Sequence, residues 1–128
     1  MKCIVDTHAL IWWWNDDPNL STPAHDAMAA RSNAIFVSAA TAWEIATKVR
    51  AGRLPSLAQR IMLYDQDVID DGFQHLAISP VHGIRGGLLD GDHRDPFDRL
   101  IAAQALLEDM TVITRDPEIG RFGCKVLW

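Results

Sequence analysis

The chain of 128 residues holds only two cysteines, Cys3 and Cys124, near its opposite ends. A small disulfide-stapled scaffold would hold more, so the sequence predicts a reducing, cytoplasmic setting with both thiols acting as small buried apolar residues. Long hydrophobic runs are also missing. Ala9 to Trp14 is apolar but short, and it lies between Asp6 and the pair Asp16–Asp17, which suits neither a signal peptide nor a membrane span. No membrane partner is expected. Basic charge is in deficit: 12 Lys and Arg stand against 17 Asp and Glu, a net charge of −5. That balance excludes a generic basic nucleic-acid coat and leaves open an enzyme whose acids hold metal ions. The five histidines, His8, His25, His75, His82 and His93, show no metal-ligand spacing, and none is assigned to a metal. No Gly-rich phosphate cradle follows a strand, and Arg85-Gly86-Gly87 opens no βα turn, which argues against a nucleotide-binding module. Repeats and low-complexity segments are absent.

What is present is ordinary globular material, 48% hydrophobic and 23% charged, of a length that fits one domain spanning 1–128. Short β-branched runs alternate with helical patterns. Cys3-Ile4-Val5, Ala34 to Val37, Thr111 to Thr114 and Lys125 to Leu127 read as strands, with a further short one between Phe73 and Ser79. Helices are predicted over Thr7–Trp14, from Ser21-Thr22-Pro23 to Arg31, from a Ser38 cap to about Arg50, from Pro55 to about Ile69, and as a turn after Pro80. The best-defined helix starts at Asp95-Pro96-Phe97-Asp98, with Asp at the cap, Pro at the first position and Asp at the third. Its apolar face is expected to carry Leu100, Ala103 and Leu107. Strands alternating with helices predict a parallel sheet covered on both faces, with ligands bound beyond the strands' carboxyl ends.

The acids fall where that scaffold would use them. Asp6 follows the first strand, and Asp116 stands two residues past Thr114. Glu44 is embedded in Ala42-Trp43-Glu44-Ile45-Ala46, and an acid in an apolar stretch needs a partner or a metal. Asp95 and Asp98 open the late helix; a helix cap accounts for Asp95, and the helix dipole favours Asp98. Carboxylates gathered without Cys, and without His at ligand spacing, suit a hard cation, Mg²⁺ or Mn²⁺, rather than Zn²⁺. The natural task of such a group is phosphodiester hydrolysis. An aspartyl-nucleophile phosphatase is the weaker alternative, because Asp6 is followed by Thr7-His8 and not by a second Asp two residues on.

Four segments together resemble the PIN-domain ribonucleases, specifically VapC-type toxins of toxin–antitoxin pairs. They are Ile4-Val5-Asp6-Thr7-His8-Ala9-Leu10, Ser38-Ala39-Ala40-Thr41-Ala42-Trp43-Glu44-Ile45, the block from His93-Arg94-Asp95-Pro96-Phe97-Asp98 to Ala105, and Thr111-Val112-Ile113-Thr114-Arg115-Asp116. The third is the most specific. The resemblance implies an α/β fold, a three-layer α/β/α sandwich around a mostly parallel five-stranded sheet. It places the family acids on Asp6, Glu44, Asp98 and Asp116 as catalytic metal ligands, with Asp95 as a competing or accessory position. It also implies a metal-dependent endoribonuclease, a small cognate antitoxin and a homodimer. A PIN-like binding protein without nuclease activity is the alternative that keeps the fold.

Supporting roles follow. Thr7 and Thr114 carry hydroxyls beside Asp6 and Asp116, placed to orient carboxylates or water. Arg99 and Arg115 flank the acids and are candidates for RNA phosphates. Trp12, Trp13 and Trp14 cannot all face one core from one helix, since successive residues differ by about 100°. At least one is expected to be exposed or at a partner interface. With four acids assigned to one site, the rest of the chain is near neutral, and the net charge carries no veto on RNA.

Overall fold

The computed structural model describes residues 1–128. Its elements run β1 (Lys2–Val5), α1 (Thr7–Trp14), α2 (Thr22–Ala29), β2 (Ala34–Ser38), α3 (Ala39–Arg50), α4 (Tyr64–Asp70), β3 (Gln74–Leu76), α5 (Pro80–Leu88), α6 (Pro96–Glu108), β4 (Thr111–Ile113), α7 (Pro117–Arg121) and β5 (Val126–Leu127). The five strands form one sheet in the order β3-β2-β1-β4-β5. Every pairing is parallel, including β1 with β4 in the register Cys3 to Thr111 and Val5 to Ile113.

Alternation along β1 sends its side chains into two cores. Cys3 and Val5 join Ile35, Val37 and Ile113 against residues of α1 to α4, while Ile4 and Val112 join Ile101, Ala102, Ala105 and Ile119 of α6 and α7. The sheet is therefore covered on both faces, as the alternation of strands and helices predicts. Both cysteines are free thiols, Cys3 fully buried and Cys124 partly so. No helix is long and apolar enough to cross a membrane.

Local caps set most helix starts. The side chains of Asp6, Ser21, Ser38, Ser79, Asp95 and Asp116 each accept a backbone N–H at the start of the helix that follows. A cap is missing where the sequence reading fails. The helix predicted from Pro55 to Ile69 is instead two 3₁₀ turns, Pro55–Leu57 and Ile61–Leu63, and then α4. Neither Leu54 nor Arg60 supplies a capping bond, so nothing carries one α-helical register across the segment. After Pro80, conversely, a nine-residue helix forms rather than a turn. Gly86 lets α5 approach α6 closely: a Cβ there would lie 3.3 Å from the Arg99 carbonyl oxygen. The buried face of α6 also differs from the predicted one. Ile101, Ala102, Ala103, Gln104 and Ala105 are buried, while Leu107 is exposed.

The three tryptophans of α1 are all half-buried, so none stands fully exposed on this chain. Each side of the helix finds its own cover. Trp12 lies against His8 and Trp128, Trp13 against His25 and Phe73, and Trp14 edge-on to Tyr64. The Nε1–H groups of Trp13 and Trp14 both donate to Oδ2 of Asp71, at 3.1 and 2.8 Å. Replacing Asp71 with Ala is expected to cost about 1 kcal/mol, since both donors are left to solvent. This should lower the thermal midpoint by roughly 3–5 °C, as read by circular dichroism. An unchanged midpoint would show that the shared carboxylate contributes nothing to this corner.

Candidate functional site

The order β3-β2-β1-β4-β5 reverses chain direction across the sheet between β1 and β4, and the crevice beyond their carboxyl ends is where such sheets bind ligands. Asp6 leaves β1 there, and Thr114 and Asp116 leave β4. Asp6 is buried. Its Oδ1 accepts from the Ala9 N–H at 2.8 Å, and its Oδ2 accepts from the Thr114 hydroxyl at 2.5 Å. Thr114 Oγ1 in turn accepts from the Asp116 N–H at 2.9 Å. One hydroxyl thus fixes the spacing of two acids that are far apart in sequence. Asp116 Oδ1 caps α7 by accepting from the Glu118 N–H at 2.9 Å, while its Oδ2 lies 3.8 Å from His93 Nε2.

The third acid comes from the start of α6. Asp95 Oδ1 accepts from the N–H groups of Phe97 and Asp98 at 2.9 and 3.4 Å, so Asp95 spends one oxygen as the cap. Asp98, a turn further into the site, pairs its Oδ2 with His93 Nε2 at 2.8 Å. The donor atoms of His93, Asp98 and Asp116 all lie within 4.8 Å of one another, a group that could hold a metal ion.

Electrostatics describe the same crowding. Burial raises the Asp6 carboxyl above its ordinary value, against the Thr114 and Ala9 hydrogen bonds that lower it, and Asp116 adds to the rise. Burial also pushes Asp98 up to about 6, helped by the charges of Asp95 and Asp6 and opposed by His93. The hydrogen bond to Asp98 raises the His93 imidazole in turn. Burial is the larger cause at both acids and the neighbouring carboxylates the smaller one, and a dication bound among them would favour their ionised forms. The donor set therefore fits a divalent metal.

The fourth acid of the pattern stands differently. Glu44 is buried on α3, but both its oxygens are engaged: Oε1 accepts from the Thr7 hydroxyl at 2.6 Å, and Oε2 from Lys48 Nζ at 2.8 Å. Thr41 Oγ1 lies 3.2 Å from Thr7 Oγ1 in the same buried group. Each of the two threonines donates to a carboxylate, Thr114 to Asp6 and Thr7 to Glu44 rather than to its neighbour Asp6.

The arginines divide. In place of the phosphate contact expected of Arg99, its donors are occupied by backbone carbonyls. Nε donates to Gly86 at 3.0 Å, Nη1 to His93 at 3.0 Å, and Nη2 to Leu89. Its guanidinium also lies over the Phe122 ring. A cation so surrounded is not free for RNA. Arg115 is exposed, with its guanidinium 4.6 Å over the Trp12 ring. With Asp6, His8, Trp12, Asp116 and Pro117 it lines a cavity of about 300 Å³. The sequence spacing gives no reason to place His93 in this group, because a histidine five residues before an acid is no metal motif. Its place inside the specific block His93-Arg94-Asp95-Pro96-Phe97-Asp98 is the one signal available.

A family model described as PIN domain matches residues 3–123. No curated protein matches the sequence significantly. Among solved structures, the chain is similar to VapBC2 from Rickettsia felis bound to a DNA fragment from their promoter: 18% identity, TM-score 0.73, covering 99% of this chain and 98% of that one. It is similar also to VapBC-1 from nontypeable Haemophilus influenzae, at 15% identity and TM-score 0.67, covering 99% and 97%. The match to FitAcB from Neisseria gonorrhoeae has 17% identity and TM-score 0.61, covering 98% and 96%. At these identities the likeness is one of fold.

Proposed function

The chain belongs to the PIN domain family, and on that premise we propose that it is a metal-dependent endoribonuclease, the toxin of a VapBC-type toxin–antitoxin pair. One observation carries the proposal: Asp6, Asp98 and Asp116 converge where β1 and β4 end, close enough for burial and mutual repulsion to raise Asp6 and Asp98. PIN domains are in general nucleases that use a divalent metal. Here Asp6, Glu44, Asp98 and Asp116 are the proposed ligands, directly or through water, with Asp95 as an accessory, and the ion is Mg²⁺ or Mn²⁺. When bound, the ion supplies charge neutralisation at the phosphate and acidifies water.

The chain's own residues do the rest. Thr114 holds the Asp6 carboxylate at the crevice, and Thr7 with Lys48 holds Glu44 in place on α3. Arg115 is exposed beside Asp6 and Asp116, where it can take an RNA phosphate while its plane rests on Trp12. Solved relatives named VapBC support a small antitoxin partner. A homodimer in the cytoplasm completes the reading.

The test is cleavage. Purified full chain, freed of any partner protein, is incubated with cellular RNA plus Mg²⁺ or Mn²⁺, with chelator, and as Asp6→Asn. Cleavage is expected only in the first arms. Cleavage that persists in chelator and in Asp6→Asn overturns the metal-carboxylate mechanism. Growth arrest on expression, relieved by a small neighbouring reading frame, is expected of a toxin, and its absence removes that part of the reading.

A further inference from the structure

His93 is none of the four proposed acid ligands, yet the fold goes to some length to place it. The segment between α5 and α6 is tied down by one side chain, Arg99, which donates to the carbonyls of Gly86, Leu89 and His93 itself. Gly91, in the same segment, has a φ of +122° and lies where a Cβ would meet the Phe122 ring at 3.4 Å. That ring sits under the Arg99 guanidinium and 6.2 Å from the imidazole. The result is a half-buried imidazole with Nε2 at 2.8 Å from Asp98 Oδ2 and 3.8 Å from Asp116 Oδ2. Ligand atoms held about 2.1 Å from one octahedral ion lie about 3 to 4 Å apart, which is the scale of these separations.

We propose that His93, its Nε2 proton released to solvent as an ion displaces the hydrogen bond to Asp98, is a nitrogen ligand to the metal held by Asp98 and Asp116, and that it biases the site away from Mg²⁺ toward a first-row transition dication. The chemistry is that of donor softness. Mg²⁺ takes oxygen ligands and gives up water reluctantly, so an imidazole in its shell adds little. First-row transition dications accept imidazole more readily than Mg²⁺ does, Mn²⁺ least among them, so the same nitrogen adds affinity for them. An oxygen-only cluster lacks this discrimination. The inference rests on the metal-carboxylate reading above and deepens it.

Mn²⁺ is the probe, with Mg²⁺ as competitor. Free Mn²⁺ is followed by its room-temperature electron paramagnetic resonance signal as the full chain is titrated, and the bound ion is examined for electron spin echo modulation from ¹⁴N. The wild-type protein is expected to show directly coordinated ¹⁴N. His93→Ala is expected to lose it, to bind Mn²⁺ about tenfold more weakly, and to hold Mg²⁺ within about twofold of the parent. His93→Gln, which offers oxygen at similar reach, should behave likewise and serves if the alanine variant folds poorly. The wild-type spectrum decides without either variant: bound Mn²⁺ lost in Asp98→Asn, but with no ¹⁴N modulation in the parent, overturns the role of His93 and leaves the carboxylate site standing. Modulation that persists in a folded His93 variant overturns it too. If the parent binds no Mn²⁺, or Asp98→Asn binds it equally well, both the inference and the metal-carboxylate reading fall.

Discussion

Asp98→Asn is expected to reduce metal-dependent RNA cleavage by about 10²–10³-fold and to leave the metal-free protein at least as stable as the parent at pH 7.5. The loss follows from charge. A divalent ion contributes several kcal/mol of charge stabilisation to phosphoryl chemistry, each 1.36 kcal/mol is a factor of ten, and a neutral amide is a poor substitute for a carboxylate ligand. The stability result follows from the pKa. Burial raises Asp98 from 3.8 to about 6 in the folded chain. A raised acid contributes stability that is present below about pH 4 and lost as pH rises through about 6, so at pH 7.5 the ionised side chain is a full liability. Asn removes it. The raised imidazole of His93 works in the same direction, its contribution fading as pH rises. Opposing these gains, the variant gives up an acid at a helix start and a charged hydrogen bond. Thermal midpoints at pH 5 and pH 7.5 are the measurement. The parent should lose more stability across that interval than the variant. An equal loss would mean that Asp98 is not crowded in the folded chain, and unimpaired cleavage would remove it from the site.

The second large effect is at a residue that need not touch the metal. Thr114→Val keeps the shape of the side chain and deletes the hydroxyl that donates to Asp6 at 2.5 Å and accepts from the Asp116 N–H at 2.9 Å. Cleavage is expected to fall about 10–100-fold, the usual cost of losing a group that orients a metal ligand. Stability is expected to fall by about 1–3 kcal/mol, because a buried carboxylate and a backbone N–H lose their partner. The pH dependence gives the diagnostic sign. Burial already raises the Asp6 carboxyl, and the Thr114 hydrogen bond lowers it. Without that bond the proton is held more tightly and competes better with the ion, so the acid limb of the rate profile should move to higher pH. Thr114→Ser, which keeps the hydroxyl, should restore the parent profile. An unmoved acid limb in Thr114→Val would show that the hydroxyl does not act through Asp6.

Much of this protein is legible where the signal and the structure lie within a few residues of each other. Ser38 caps α3, Asp95 caps α6 beside Pro96, and Cys3-Ile4-Val5 forms β1, because each needs only local backbone geometry and side-chain periodicity. The placement of Asp6 and Asp116 at strand ends is legible for the same reason. Illegibility begins where local signals conflict or give out. From Leu54 to Leu63 no cap fixes a register. In α6 the apolar residues run nearly all round the helix, so the buried face is chosen by packing against the sheet and α5 rather than by periodicity.

The tertiary structure decided the partners. Thr7 stands next to Asp6 in the chain but bonds Glu44, because α1 packs on α3. Arg99 stands next to Asp98 but turns away to bind the carbonyls before α6. His93 enters the acid group only because the α5–α6 segment is held against Phe122. Above all, the sheet order sets β1 beside β4, which brings the Thr114 hydroxyl onto Asp6 across 108 positions of sequence. The sequence by itself determined which acids the chain has and which strand or helix end each occupies, since those are matters of local geometry. The distances between them, the burial that raises Asp6 and Asp98, and the imidazole among them depend on contacts far apart in the chain, and only packing creates those.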